Sequence, residues 1–130
     1  ITFNGDTATA NALDDYEEGT WTAGFAGSSN TATGYYTKVG NLVHVAVYSS
    51  AITVSAGYYG TITGLPFTVR STYAVPSLAH NTYTLNGGGA GYFQINATQV
   101  LILQENSTNQ QVVSAGTRYI MMSGTYLTDT

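Results

Sequence analysis

The chain contains no cysteine. That excludes a disulfide framework and any thiolate nucleophile or thiolate metal site, and it suits assembly in a reducing cytoplasm. Charge is the second shortage: Asp, Glu, Lys and Arg make up 8% of the 130 residues, against roughly a quarter in ordinary globular domains. Three cations cannot neutralise a run of phosphates, so nucleic acid is not an expected partner. No apolar run approaches about 18 residues and no signal-peptide pattern follows Ile1, so neither membrane insertion nor an export signal is expected. The first residue is not methionine, and the chain reads as a piece of a longer protein. Helical periodicity is missing as well. Only "TATANALDDYEEG" tolerates a helix, and one short turn is the most it allows.

What the chain has in quantity is tyrosine, eleven residues of it, and glycine, fifteen. Ile, Leu, Val and Phe together lie just above the level of about 20% below which disorder is expected. Tyrosine supplies the missing apolar area, because each ring buries a large surface and keeps a polar tip. With so few charges, Ser, Thr, Asn and Tyr must cover the outside. Such a surface resists little when another subunit or a sugar approaches, which favours oligomerisation.

The dominant period is two. "LVHVAVY" places Val43, Val45 and Val47 on one face and Leu42, His44, Ala46 and Tyr48 on the other. "GYYGTITGLPF" reads as a strand ending in a turn at Gly64–Pro66, and "QVLILQ" as a strand covered on both faces. "YFQINAT" alternates again, and "TRYIMMSGTYL" forms the last strand. Turn signals such as "GSSNTATG", "VGN", "NGGGAG" and "ENSTNQ" separate these runs. The size allows one domain. Many short strands, Gly-rich turns and no helices imply an all-β domain, an antiparallel β-sandwich or jelly-roll-like barrel. Residues 1–18 lack alternation and read as a lead-in segment, with residues 19–130 as the domain itself.

Four of the seven acidic residues, Asp14, Asp15, Glu17 and Glu18, fall within five positions, just before the sole tryptophan, Trp21. Retaining glycoside hydrolysis needs two carboxyls about 5–5.5 Å apart across a cleft, and acids this close in sequence do not define one. "DDYEEG" also lacks the alternating ligands of a calcium loop. In an extended segment Asp15 and Glu17 share one face, Tyr16 and Glu18 the other. His44 and His80 have no metal-ligand spacing, no Gly-x-Ser-x-Gly elbow is present, and "NGGGAG" lacks the lysine and following helix of a phosphate loop. No enzymatic activity, cofactor or metal is therefore expected.

The stretch "FNGDTATANALDDYEEGTWT", followed in order by "YYTKVGNLVHV", "ITGLPF" and "IMMSGTYL", resembles the C-terminal domain of bacteriophage tail fibres and tailspikes. The acidic entry to the tryptophan is the specific motif, and the others are short. Relatives mostly carry proline where this chain has Ala23. The resemblance implies a homotrimeric all-β head at the fibre tip, assembled in the bacterial cytoplasm, exposed on the virion and used in host attachment. On that reading the acidic segment is a joint between shaft and head. Asp14, Asp15, Glu17 and Glu18 are expected to pair there with Arg70, Arg118 or Lys38 of a neighbouring copy, or with backbone N–H groups, and Trp21 is the wedge. Leu42, Ala46, Tyr48, Ile120 and Met122 are expected to face the threefold axis.

Tyr73, Tyr83 and Tyr92, with Asn81, Asn86 and Gln94 near them in sequence, are expected to line a saccharide-binding surface in the loop-rich middle. Of the pairs Tyr35–Tyr36 and Tyr58–Tyr59, one member of each is expected in the core. The expected partners are sister copies and a host surface polysaccharide or outer-membrane receptor. The alternative is a purely structural clamp that trimerises and caps the fibre without binding a receptor.

Overall fold

The structure is a computed structural model that describes residues 16–85, 90–105 and 107–130. Asp14, Asp15 and Asn86 lie outside the described residues. Among those described, ten strands and no α-helix form: β1 (Tyr16–Phe25), β2 (Thr31–Val39), β3 (Leu42–Tyr48), β4 (Ile52–Val54), β5 (Thr61–Thr63), β6 (Ser77–Ala79), β7 (Ala90–Phe93), β8 (Gln99–Leu103), β9 (Gly116–Arg118) and β10 (Met121–Leu127). Eight of them pair antiparallel in the order β6-β10-β3-β2-β1-β5-β8-β7, while β4 and β9 form a separate two-stranded sheet.

The long sheet curls until its ends almost meet. The Phe93 N–H on β7 donates to the Ala74 carbonyl, just before β6, at 3.0 Å. Pro76 is buried in the seam, packed against Gly124 of β10 and Gly91 of β7. A Cβ at Gly124 would stand 2.7 Å from the Pro76 backbone and one at Gly91 would press on the Pro76 ring at 3.1 Å, so the absent Cβ atoms let the two edges approach. Near-closure covers edges that would otherwise template pairing with other chains. The outcome is a nearly closed antiparallel barrel-like sheet.

Alternation decides what fills it. Val43, Val45 and Val47 point inward, as their period of two requires, and pack with Trp21, Ala23 and Phe25 of β1, Ile62 of β5, Ile102 of β8 and Met122 of β10. On β8, Val100, Leu101 and Ile102 are all buried, so that strand is covered on both faces. β2 turns into β3 through the two residues Gly40 and Asn41, with Gly40 at φ +57°, a left-handed conformation natural to glycine. β1 begins at Tyr16, so Glu17 and Glu18 belong to the ladder, opposite Lys38 and Thr37.

Two expectations about the interior are corrected, and a third holds. Ile120 and Met122 were expected at a subunit interface, yet both are core residues, and Met121 is the outward neighbour. Tyr35 and Tyr36 divide as expected, Tyr35 outward and Tyr36 packed against the core. Tyr58 and Tyr59 do not divide. Both are exposed, because the regular strand starts only at Thr61.

Candidate functional site

Two regions compete for the functional role: the residues singled out from sequence, and the outer face of β2, β3, β10 and β6. The first set scatters. Tyr83 is fully buried, which overturns its place on a binding surface. Its ring meets Phe25 edge-on at 5.9 Å, and its hydroxyl donates to the Ala26 carbonyl at 2.8 Å and accepts from the Thr61 N–H at 3.3 Å. Burial pushes this phenol up to about 12. Asn81 braces the same loop: its amide donates to Thr84 Oγ1 at 2.8 Å and its Oδ1 accepts from the Thr84 N–H. Tyr73 is exposed, and its ring lies 6.4 Å from that of Tyr92, tilted by 45°. Gln94 is engaged by the Gln99 side-chain amide. Only Tyr73 and Tyr92 of the predicted saccharide surface are brought together as exposed or half-buried rings.

The expected junction is also redistributed. Trp21 is 5% exposed inside its own barrel, with Nε1 donating to the Tyr35 carbonyl at 3.2 Å, so it wedges no joint between chains. Arg70 pairs with Asp129 of the same chain at 2.6 Å and donates to the Thr128 carbonyl at 3.2 Å. Arg118 donates to the carbonyls of Ser114 and Ala115. Lys38 is 2% exposed: the period of β2 turns it inward, where Nζ lies 5.6 Å from the centroid of the Phe67 ring. Each of these cations therefore has a partner within its own chain.

Glu17 and Glu18 have local partners. Glu18 accepts from the Tyr16 hydroxyl at 2.8 Å across one face, as the i, i+2 geometry requires. Glu17 accepts from the Tyr36 hydroxyl at 2.9 Å. Both phenols are raised above their ordinary value, each chiefly because a carboxylate accepts the proton it would lose.

The outer face is the more continuous feature. Register places Tyr35, Ala46, Ser123 and Ser77 in one row across β2, β3, β10 and β6, and Tyr48, Met121 and Ala79 in the next. Tyr35, Leu42, Tyr48 and Met121 are all exposed there. A groove of about 550 Å³ follows these rows, and no charged side chain lines it. At its end His80 is sandwiched, stacked on Tyr119 at 4.9 Å and 10° and on Tyr48 at 6.0 Å and 24°. His44, on the same face, lies 3.2 Å from Thr125 Oγ1, a satisfied strand histidine. Among the described residues no group of three or more His, Asp or Glu is placed to hold a metal ion.

Leu42, Ala46 and Tyr48 were legible as an outward row. Tyr35 and Met121 follow from the same alternation, once the correct member of each adjacent pair is turned outward. The Tyr48–His80–Tyr119 stack joins three distant parts of the chain, and no local pattern announces it. Compared with family models, with curated proteins and with solved structures, the chain has no match in any of the three.

Proposed function

We propose that this chain is the distal domain of a bacteriophage tail fibre or tailspike, which trimerises and attaches the virion to a host surface receptor, a glycan in the first instance. The observation that carries the reading is the uncharged outer face of β2, β3, β10 and β6, with Tyr35, Tyr48 and Met121 exposed along one groove and Leu42 exposed on the same face. Contiguous exposed apolar surface on a soluble domain marks a contact surface. In a homotrimer that face is the one covered by sister copies, and three receptor sites held on one rigid tip act with avidity. The motif resemblance supports the reading from a second side, since the four quoted segments meet in space. Glu17 binds Tyr36, the Tyr36 ring packs edge-on against Phe67 at 5.4 Å, and Tyr126 hydrogen-bonds the Phe67 backbone.

The clamp reading draws on a separate observation. Tyr83 and Asn81, expected to contact a receptor, are committed to packing and to bracing a loop, which leaves less of the middle segment for recognition.

Light scattering on the isolated domain, combined with host-cell binding, tests both. A trimer that binds cells supports attachment, and a trimer that binds none supports the clamp. A monomer at high concentration removes both readings.

A further inference from the structure

A second cleft lies halfway round the curled sheet from the groove, beside the adjacent strands β5 and β8. It measures about 450 Å³ and is lined by Tyr59, Gln104, Thr108, Asn109 and Gln110. We propose that this cleft binds a neutral saccharide, with Tyr59 as the ring platform and the three amide side chains taking the hydroxyls. The inference rests on the attachment reading and adds to it the class of ligand and the place where it sits.

The lining decides the ligand class. Tyr59 is 61% exposed, a level at which a large ring presents a flat face to solvent. Aliphatic hydrogens on one side of a pyranose carry partial positive charge, which suits the negative face of an aromatic ring. Each carboxamide offers a donor and an acceptor side by side, the arrangement that vicinal hydroxyls match. Few polar groups converging beside an aromatic wall are what gives a small-ligand cleft its selectivity.

Charge narrows the choice. No cation lines the cleft: Lys38 is inside the barrel, Arg70 is bound to Asp129 and Arg118 to carbonyls of its own turn. The neighbouring charged residue is Glu105, which is exposed. Sialic or uronic acids would meet no counter-charge there and one repulsive carboxylate. The matching ligand is uncharged.

The lining is also held in place before any ligand arrives. Around Tyr59, the Gly60 N–H donates to the Gln111 carbonyl at 2.8 Å, and the Gly60 carbonyl accepts from the Ile102 N–H at 3.0 Å. Across the loop, the Gln104 N–H donates to the Asn109 carbonyl at 2.8 Å, and the Ser107 hydroxyl accepts from the Asn109 N–H at 3.0 Å. A site whose backbone is already ordered loses less entropy on binding. The Gln104 amide sits 3.4 Å from the Gln110 carbonyl, a long hydrogen bond that a sugar hydroxyl can replace.

The test is titration of the whole domain with neutral gluco-, manno- and galacto-hexaoses, with an oligosialic acid as the charged comparison, followed by amide NMR. Neutral oligosaccharides are expected to shift the side-chain amides of Gln104, Asn109 and Gln110, and Tyr59→Ala is expected to weaken binding about tenfold. Tyr58→Ala, an exposed tyrosine next door that does not line the cleft, is expected to change affinity less than twofold. Both variants should melt at the wild-type temperature. No shift with any neutral oligosaccharide at millimolar concentration overturns the inference. So do shifts centred on Tyr35 and Tyr48 or on Tyr73 and Tyr92, or a preference for the sialylated ligand. Undiminished host-cell attachment by Tyr59→Ala sinks this site and leaves the attachment reading standing. Wild-type protein that binds the oligosaccharides and no cells does the reverse.

Discussion

The hydroxyl of Tyr126 grips both sides of one residue: it donates to the Phe67 carbonyl at 2.9 Å and accepts from the Phe67 N–H at 3.3 Å. This joins the end of β10 to the Gly64–Phe67 turn, which Gly64 enters at φ +92°. With Tyr126 1% exposed, no water stands ready to replace the phenol. Tyr126→Phe keeps the ring tilted against Phe93, 4.8 Å away, and leaves two backbone groups without their partner. It is expected to cost about 1–3 kcal/mol. Tyr16→Phe, which removes an exposed bond to Glu18, is expected to cost much less. Urea denaturation of the two variants side by side checks the difference, and equal losses would count against the Phe67 anchor.

Alkaline pH should unfold the domain through its buried phenols. Burial pushes Tyr83 and Tyr126 each up to about 12 from an ordinary value of 10. Between those values the unfolded chain gives up protons that the folded one retains, so the unfolded state binds fewer, and stability falls as pH rises. The contribution is fully present below pH 10 and is lost by about pH 12, at roughly 1.4 kcal/mol per pH unit for each phenol. Melting temperature against pH should therefore bend downward above pH 10. In the double variant Tyr83→Phe/Tyr126→Phe that bend should be shallower, even though the protein starts less stable.

Gly34 faces Trp21 across the β1–β2 ladder, and the indole lies where a side chain at position 34 would stand. The Ala46 carbonyl closes the site from β3, at 2.9 Å from an added Cβ. Neither obstacle is a flexible chain end. Gly34→Ala is expected to cost about 1–3 kcal/mol by overpacking and to shift the tryptophan emission as the indole is displaced. Gly40→Ala meets open space but keeps the φ +57° strain, and should leave the emission unchanged.

The parts of this fold readable in advance are those where a local period meets a single environment. Val43, Val45 and Val47 alternate against one interior, so their strand and its facing could be read directly, and the Gly40–Asn41 turn followed from its residues. The all-β class came from the same signal. Lys38 and Tyr83 were misread because polarity suggested the surface. Alternation turns Lys38 inward over Phe67, and an irregular segment carries Tyr83 into the core, where two backbone carbonyls and an N–H satisfy its hydroxyl. Short-range patterns carry no trace of partners 22 to 57 residues away. The cleft beside Tyr59 was hidden for the same reason: "ENSTNQ" registers only as a turn until β5 and β8 pair and bring the tyrosine alongside it.

Charge placed on the outer face should separate assembly from folding. Leu42 and Met121 are 49% and 38% exposed, so a lysine at either position can reach water in a single chain without disturbing the barrel. Between sister copies the same lysines would be desolvated, and at position 121 no acidic side chain lines the groove to offset the charge. Leu42→Lys/Met121→Lys is expected to give a monomer with an unchanged β-sheet spectrum. The wild-type melting temperature should rise with protein concentration, as linked association requires, while that of the variant stays constant. Val45→Lys, aimed at the core, is expected to abolish folding instead. A double variant that remains a trimer would move the interface away from β2, β3, β10 and β6, and one that fails to fold would mean those side chains support the barrel itself.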